Sequence, residues 1–383
     1  MKERLTRGLR VLSMDWLLCA AILPLLLAGL VTMYSFTGES YYFQRQLLFI
    51  GISFFVFFGA SMVDWRFLKR SLGLFLLYLF GNVLLVFLFI AGHTAKGALS
   101  WFSFGGFSFQ PADLIKVLLI VVLAKYFSRR HVEIADVRHI IVSGIYALIP
   151  FVLVMLQPDF GTAAIIFVIW LGMVVVSGVS KKHLAFVAGA LVVVAAIFWL
   201  FVFAPYQKER VLTFLQPLRD TQGAGYNAIQ SQIAVGSGQI FGKGMGYGTQ
   251  SRLRFLPEYQ TDFVFAAFAE EWGFTGVLIV FVLYGIIISR LLANAMHGAS
   301  NFETLFILGV AVYFMGHLTI NIGMNIGLLP VTGIPLPFMS YGGSHLLAEF
   351  LALGMVMGMS RYGRPAERPN DETELLGHIG QAR

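Results

Sequence analysis

A single cysteine, Cys19, stands in the whole sequence, which excludes an intrachain disulfide and any Cys-x-x-Cys metal site and leaves the redox compartment unmarked. Charge is scarce too. Asp, Glu, Lys and Arg make up 12% of the residues, about half of the roughly 25% usual in soluble domains. There are too few ionic side chains to coat a water-soluble surface. No internal repeat recurs at a fixed period. The glycine-rich run Gly242-Lys-Gly-Met-Gly-Tyr-Gly248 lacks the lysine-hydroxyl pair of a phosphate-binding loop and follows no strand pattern, so no nucleotide cofactor is expected. The first apolar run is too long for a signal peptide and no small-residue cleavage site follows it, so it is expected to stay as the first anchor.

What is abundant is apolar surface, at 58% of residues. Runs long enough to cross about 30 Å of hydrocarbon as helices fall at residues 16–35, 45–63, 72–91, 113–127, 139–156, 162–179, 184–204, 263–289, 303–325 and 343–360. The expected fold is therefore all-α: a polytopic membrane protein of about ten spans, with a large loop, 205–262, between spans seven and eight. The fourth run is short and reaches full depth only by sharing the polar segment before it. With an even number of spans both termini share a side. Lysine and arginine crowd that side, from Lys2, Arg4 and Arg7 through Arg66, Arg129, Arg130, Lys181 and Arg290 to Arg361, whereas the short loops opposite offer Arg45 and Lys96. The expected orientation has both termini cytoplasmic and the 205–262 loop outside. Basic cytoplasmic loops account for the net charge of +7, so no nucleic-acid partner is expected. Residues 1–362 read as one transmembrane domain, and 363–383 as a polar, disordered cytoplasmic tail.

The 205–262 loop is the least apolar stretch and ends in a cluster of ionisable groups, Lys243, Arg252, Arg254, Glu258 and Asp262. Three further segments on the same face are polar or rich in turn residues: Thr94 to Asp113, Gln157 to Thr162, and Gly327 to Ser344 with Pro330, Pro335 and Pro337. Such backbone must be buried in protein or wet. Gln110-Pro-Ala-Asp113 and Gln157-Pro-Asp159 each place an acid at the start of a helix, where free amides favour a carboxylate. Lys116 follows Asp113 at i, i+3 and, in an apolar helix, must face the interior with a partner, either Asp113 or Asp159. Glu258 and Asp262 are i, i+4; on a helix they would project together, suiting a general base or a divalent-cation site. Glu270, Glu271 and Glu349 are intramembrane acids that mark either a pathway or packing pairs. His317, Asn321 and Asn325 form a polar stripe at four-residue spacing, read as interhelical hydrogen bonding, and His345 is read the same way.

The run from Phe241 to Phe265, containing Leu256-Pro-Glu-Tyr-Gln-Thr-Asp262, together with Gln110-Pro-Ala-Asp113, Leu156-Gln-Pro-Asp-Phe-Gly-Thr162 and Leu328-Leu-Pro-Val-Thr-Gly-Ile-Pro-Leu-Pro-Phe-Met-Ser-Tyr-Gly-Gly-Ser344, resembles the SEDS family of bacterial cell-wall polymerases. The likeness runs in family order over about residues 10–362. The Val-Thr-Gly-Ile form of the last motif is closer to the rod-shape branch than to the division branch. The resemblance implies a peptidoglycan glycosyltransferase that polymerises lipid II on the outer face of the cytoplasmic (inner) membrane during elongation and releases polyprenyl pyrophosphate. It implies a class B penicillin-binding protein as cross-linking partner. By motif, the family's essential loop aspartate falls on Asp262, and its other sensitive positions on Asp113, Lys116, Asp159 and Glu258. Asp262 is expected to act as base for the acceptor hydroxyl, or to hold a divalent cation (magnesium or manganese) that does so, with Glu258 tuning it and Asp159 beside it. Lys116 above all, with Asp113, Arg210, Lys243, Arg252 and Arg254, is expected to meet the departing pyrophosphate.

Three positions depart from the family pattern: the shorter Asp113 stands for a glutamate, Gln260 for a histidine, and Ser100 for a basic residue. The first puts Asp113's reach in question, and the second excludes a histidine at that step. Two other classes compete, a flippase for the lipid-linked precursor and a non-catalytic scaffold. Clustering of acids and bases on one face favours the enzyme, because a translocation route needs polar groups through the whole depth.

Overall fold

The computed structural model describes residues 14–363 apart from 38–40, 70–71, 96–97, 105–106, 130–136, 179–182, most of 184–211, 218–219, 221–222 and 254. The seventh expected span, 184–204, the side chains of Arg210 and Arg254, and the tail beyond 363 lie outside the described residues. The elements in chain order are α1 Trp16–Thr37, α2 Tyr41–Ser61, α3 Gly73–Ala91, β1 His93–Ala95, β2 Ala98–Phe104, β3 Phe107–Phe109, α4 Pro111–Ser128, α5 Val137–Leu156, α6 Phe160–Val176, α7 Ala224–Ser237, α8 Val264–Met296, α9 Asn301–Asn325 and α10 Gly343–Gly363, with short helical turns between some of them.

The all-α multi-pass architecture holds. Among the described residues seven helices (α1, α2, α3, α5, α8, α9 and α10) are long and apolar enough to cross a membrane. The fourth and sixth expected spans are the shorter α4 and α6, of 18 and 17 residues. Helix α4 carries Asp113, Lys116 and Lys125 and is buried along most of its length. Asp113 and Lys116 are covered by protein, not lipid, which is how so short and polar a helix is tolerated at membrane depth. Helix α9 is central: it packs on α8, α4, α6 and α10, while α2 lies along α10 and α1 against α8.

One segment read as polar and turn-rich is a small sheet. Strands β1, β2 and β3 pair antiparallel in that order, with Phe102 opposite Phe109 and Ser103 opposite Ser108. The reason lies in the sequence: Trp101-Phe-Ser-Phe, then Gly105-Gly106, then Phe-Ser-Phe109 alternates around a diglycine, a hairpin signal. The sheet lies on α3 and α10 and delivers the chain to the start of α4.

Helix α8 is broken at Gly273, whose φ is 65° and ψ −166°. A break inside an apolar helix strands amides and carbonyls that lipid cannot satisfy. The glycine-rich loop before α8 supplies partners on both sides. Phe274 and Thr275 amides donate to the carbonyls of Gln239 and Ile240 at 2.8 and 3.0 Å, and Lys243 and Gly244 amides donate to those of Glu270 and Glu271 at 3.0 Å each. A Cβ on Gly273 would stand 2.2 Å from the Gly242 nitrogen. Gly273→Ala should therefore lower the thermal midpoint of the detergent-solubilised protein by several degrees: a left-handed conformation costs an L-residue about 1–2 kcal/mol, and the clash adds to it. An unchanged midpoint would refute this account of the break.

Candidate active site

Four segments converge at one end of the bundle: the 100–113 approach to α4, the 157–162 turn, the 257–263 turn before α8, and the 326–343 segment between α9 and α10. Each Gln-Pro-acid motif places its acid as expected at a helix start, but the two acids do different work. Asp159 is the N-cap of α6 and accepts from the Thr162 amide at 3.0 Å through one carboxylate oxygen. Through the other it accepts from Gln110 Nε2 at 3.0 Å and Ser100 Oγ at 3.3 Å. Ser100, one of the departures from the family pattern, thus becomes a ligand of the cap. Asp113 instead turns inward: its Oδ1 meets Lys116 Nζ at 2.8 Å and His345 Nδ1 at 3.5 Å. The open question over the partner of Lys116 resolves to Asp113, and the shorter acid does reach.

Behind that pair runs a buried chain of polar groups. His345 Nε2 lies 2.9 Å from Glu349 Oε1, and Glu349 Oε2 accepts the Phe338 amide at 3.1 Å. Phe338 adopts a positive φ of 61°, a conformation that a non-glycine holds only when its surroundings impose it. Lys116 Nζ is 3.4 Å from His317 Nε2, and His317 Nδ1 lies 3.3 Å from the Pro335 carbonyl. The intramembrane groups therefore secure the underside of the 334–338 backbone. At 1% exposure, Lys116 is enclosed within the bundle by these partners.

The region around Glu258 and Asp262 is not the helix its spacing suggested. Glu258 takes a positive φ of 54°, and its carbonyl gathers the amides of Thr261, Asp262 and Phe263 at 3.1, 3.1 and 3.3 Å. Helix α8 begins only at Val264. Thr261 Oγ1 donates to Glu258 Oε2 at 3.1 Å. The carboxylate of Asp262 lies beside the 331–335 backbone, with Oδ2 3.5 Å from where Gly333 would carry a Cβ. Gly161, two residues after Asp159, abuts the same backbone; a Cβ there would come within 2.6 Å of the Thr332 carbonyl. The Asp262 carboxylate and the first turn after the Asp159 cap thus both approach one glycine-containing strip. Asp159, Glu258 and Asp262 are each partly exposed, whereas Asp113, Glu270, Glu271 and Glu349 are buried.

The expected cations fare unevenly. Lys243 Nζ pairs with Glu270 Oε1 at 2.7 Å and with Thr249 Oγ1 at 2.8 Å. The Gln250 amide also donates to Glu270, and the Gly246 amide to Glu271. Glu270 and Glu271 are thus packing partners of the glycine-rich loop, and Lys243 serves that loop. Arg252 is exposed. Arg45, which the sequence reading used for orientation alone, lies with its guanidinium 4.5 Å from the Tyr41 ring centre and hydrogen-bonds Tyr341, whose phenol is pushed up chiefly by burial. Tyr341 donates its amide to the Gln260 carbonyl at 2.8 Å.

Sequence reasoning missed the residues that hold the 260–262 backbone. Asn321 and Asn325 reach the Asp262 carbonyl, Ser340 reaches that of Thr261, and Gln46 of α2 backs Ser340 through its carbonyl at 3.1 Å. The four-residue spacing of the α9 stripe announced buried polar contacts, but not that their partners are irregular backbone. Among the described residues no group of three or more His, Cys, Asp or Glu side chains gathers as for a metal.

Residues 10–364 match the family profile FtsW/RodA/SpoVE, described as cell cycle protein. A protein from Thiomicrospira cyclica named probable peptidoglycan glycosyltransferase FtsW is 36% identical, over 92% of this chain and 93% of its own. The peptidoglycan glycosyltransferase MrdB of Escherichia coli K12 is 38% identical, over 74% and 76%. A solved structure, described as structural coordination of polymerization and crosslinking by a peptidoglycan synthase complex, superimposes with a TM-score of 0.78 at 31% identity, covering 91% of this chain and 98% of that one.

Proposed function

The chain belongs to the FtsW/RodA/SpoVE (SEDS) family, and from that premise we propose that it is a peptidoglycan glycosyltransferase which polymerises lipid II at the outer face of the cytoplasmic membrane, with both termini inside. The observation that carries the reading is the seat of Asp262. It is a partly exposed carboxylate on a pinned turn, set against a glycine of the 331–335 strip, while the buried acids nearby are engaged in packing. Glycan growth needs an acceptor hydroxyl to lose its proton as pyrophosphate leaves the donor's anomeric carbon. Asp262 is the base for that proton; Glu258 and Asp159 shape its surroundings, and the exposed Arg252 and the part-exposed Arg45 and Lys243 are cations open to phosphate.

A divalent cation fits as a hydrated ion held by one or two carboxylates and the substrate's own phosphates, the usual binding of magnesium, with Asp262 its first protein ligand. When bound it would supply charge stabilisation to the leaving pyrophosphate. Relatives carry division as well as other names, so the elongation role rests on the Val331-Thr-Gly-Ile334 form of the last motif. A cross-linking transpeptidase of the class B penicillin-binding type is the proposed partner, supported by the fold shared with a chain of a synthase complex that couples polymerization to crosslinking.

Purified protein in detergent, given lipid II, should yield glycan ladders on a gel, and chelator should reduce them. Detergent has no second compartment, so a flippase would yield none, and a scaffold would yield none until a partner polymerase is added. Absence of product from monodisperse protein, with and without magnesium or manganese, would overturn the assignment.

A further inference from the structure

In a regular helix the carbonyl of residue 262 would accept the amide of residue 266. Here that bond is missing, and the side-chain amide of Asn325 stands in its place. Asn325 Oδ1 accepts the Ala266 amide at 3.2 Å, and Asn325 Nδ2 donates to the Asp262 carbonyl at 3.2 Å. The next helical bond, Ala267 amide to Phe263 carbonyl at 3.1 Å, is intact. One side chain of α9 thus holds open the first turn of α8 at the residue before it closes. Asn321 Nδ2 completes the hold: it donates to the same Asp262 carbonyl at 3.0 Å and to the Ile334 carbonyl at 2.7 Å, tying the turn to the strip the carboxylate faces. Both asparagines are fully buried, and Asn325 Nδ2 also donates to the Asn321 carbonyl at 2.8 Å.

The preceding two residues are held as firmly. Ser340 Oγ donates to the Thr261 carbonyl at 2.5 Å and accepts the Leu336 amide at 2.8 Å, and the Tyr341 amide donates to the Gln260 carbonyl. Three consecutive carbonyls, 260 to 262, are thereby fixed from α9 and from the 334–341 segment, and none is spent on closing a helical turn. Were the turn to close, Asp262 would become an ordinary first-turn residue and its side chain would swing with the helix.

We propose that Asn321 and Asn325 are positioning residues for the reaction: Asn325 by interposing between Asp262 and Ala266, and Asn321 by tying the Asp262 carbonyl to that of Ile334, set the direction of the Asp262 carboxylate toward the 331–335 strip. Ser340 is a third member of the same frame. This rests on the polymerase reading above, and assigns to the α9 stripe a role in turnover rather than in helix packing alone.

The test uses the full-length purified protein with lipid II, with rates expressed per monodisperse enzyme. Asn325→Asp keeps the acceptor for Ala266 but removes the donor to Asp262; Asn321→Leu removes both bonds donated by Nδ2 while keeping the branched outline of the side chain. Each is expected to lower kcat by roughly 10- to 100-fold, the scale of a misplacement of about 1 Å, while KM for lipid II stays within about twofold because the substrate contacts are untouched. Ser340→Ala should shift kcat in the same direction, and Asn321→Gln, which retains a donor, should recover part of the loss. Where the leucine variant does not give monodisperse protein, Asn321→Ser and Ser340→Ala carry the same measurement. Wild-type kcat in these variants, alongside an inactive Asp262→Asn, overturns the positioning role and leaves the polymerase reading standing. An active Asp262→Asn removes both. A rise in KM at constant kcat also overturns the proposal, since it would place the asparagines in substrate binding.

Discussion

Asp262→Asn is expected to abolish glycan polymerisation while leaving the protein folded in the membrane. Asparagine matches aspartate in volume, and the backbone contacts of residue 262 run through its carbonyl and amide, which the substitution leaves in place: the carbonyl is held by Asn321 and Asn325, and the amide donates to the Glu258 carbonyl at 3.1 Å. What is lost is the capacity to take a proton. Removal of a positioned general base costs about 10²–10⁴-fold in rate, and a variant that also loses charge for a bound cation sits at the upper end of that range or beyond. Gel analysis of products from purified variant and lipid II reads the effect. Melting in detergent, and the yield of monodisperse protein, should match the parent within error. A wild-type ladder would remove Asp262 from the chemistry, whatever its place in the fold.

Much of this arrangement could be read from the sequence because the membrane simplifies the code. Hydropathy over windows of about twenty residues placed the described spans, and the two Gln-Pro-acid motifs placed both helix starts, with Pro111 opening α4 and Asp159 capping α6. The β-ribbon was hidden by length: Trp101 to Phe109 is too short to stand out beside long apolar runs, although its alternation and its diglycine carry the information. The helix suggested by the spacing of Glu258 and Asp262 failed for a different reason. Spacing sees neighbours along the chain, but not that Glu258 takes a positive φ of 54°, nor that the following turn, from Asp262, is held open by Asn325, 63 residues away. The partners of Lys116 and Lys243 were hidden in a related way. A cation in a polar cluster looks available until its partner is seen, and Glu270, wholly buried on α8, claims Lys243 from 27 residues off.

Lys116 gives the second large effect, and it separates a structural cation from a substrate contact. Its Nζ lies between Asp113 at 2.8 Å and His317 at 3.4 Å, and 5.7 Å from the centre of the Tyr313 ring, all of them buried. Lys116→Met preserves the length of the stem but leaves the Asp113 carboxylate without its cation inside the bundle. Breaking such a buried pair from one side costs about 3–5 kcal/mol, enough to deplete folded protein, so membrane yield and detergent melting temperature should both fall sharply. The neutral pair Lys116→Met with Asp113→Asn removes the stranded charge. It should restore much of the folded yield, because an uncharged pair of similar volume avoids the desolvation that the ion pair had to overcome. Turnover of the double variant then decides. If Lys116 acts through the fold, kcat per folded enzyme recovers along with stability and KM for lipid II is unchanged. If the lysine meets the pyrophosphate, the double variant folds yet stays inactive or binds lipid II weakly, and the buried chain from Lys116 through Asp113 and His345 to Glu349 would have to open during the reaction for the substrate to reach it.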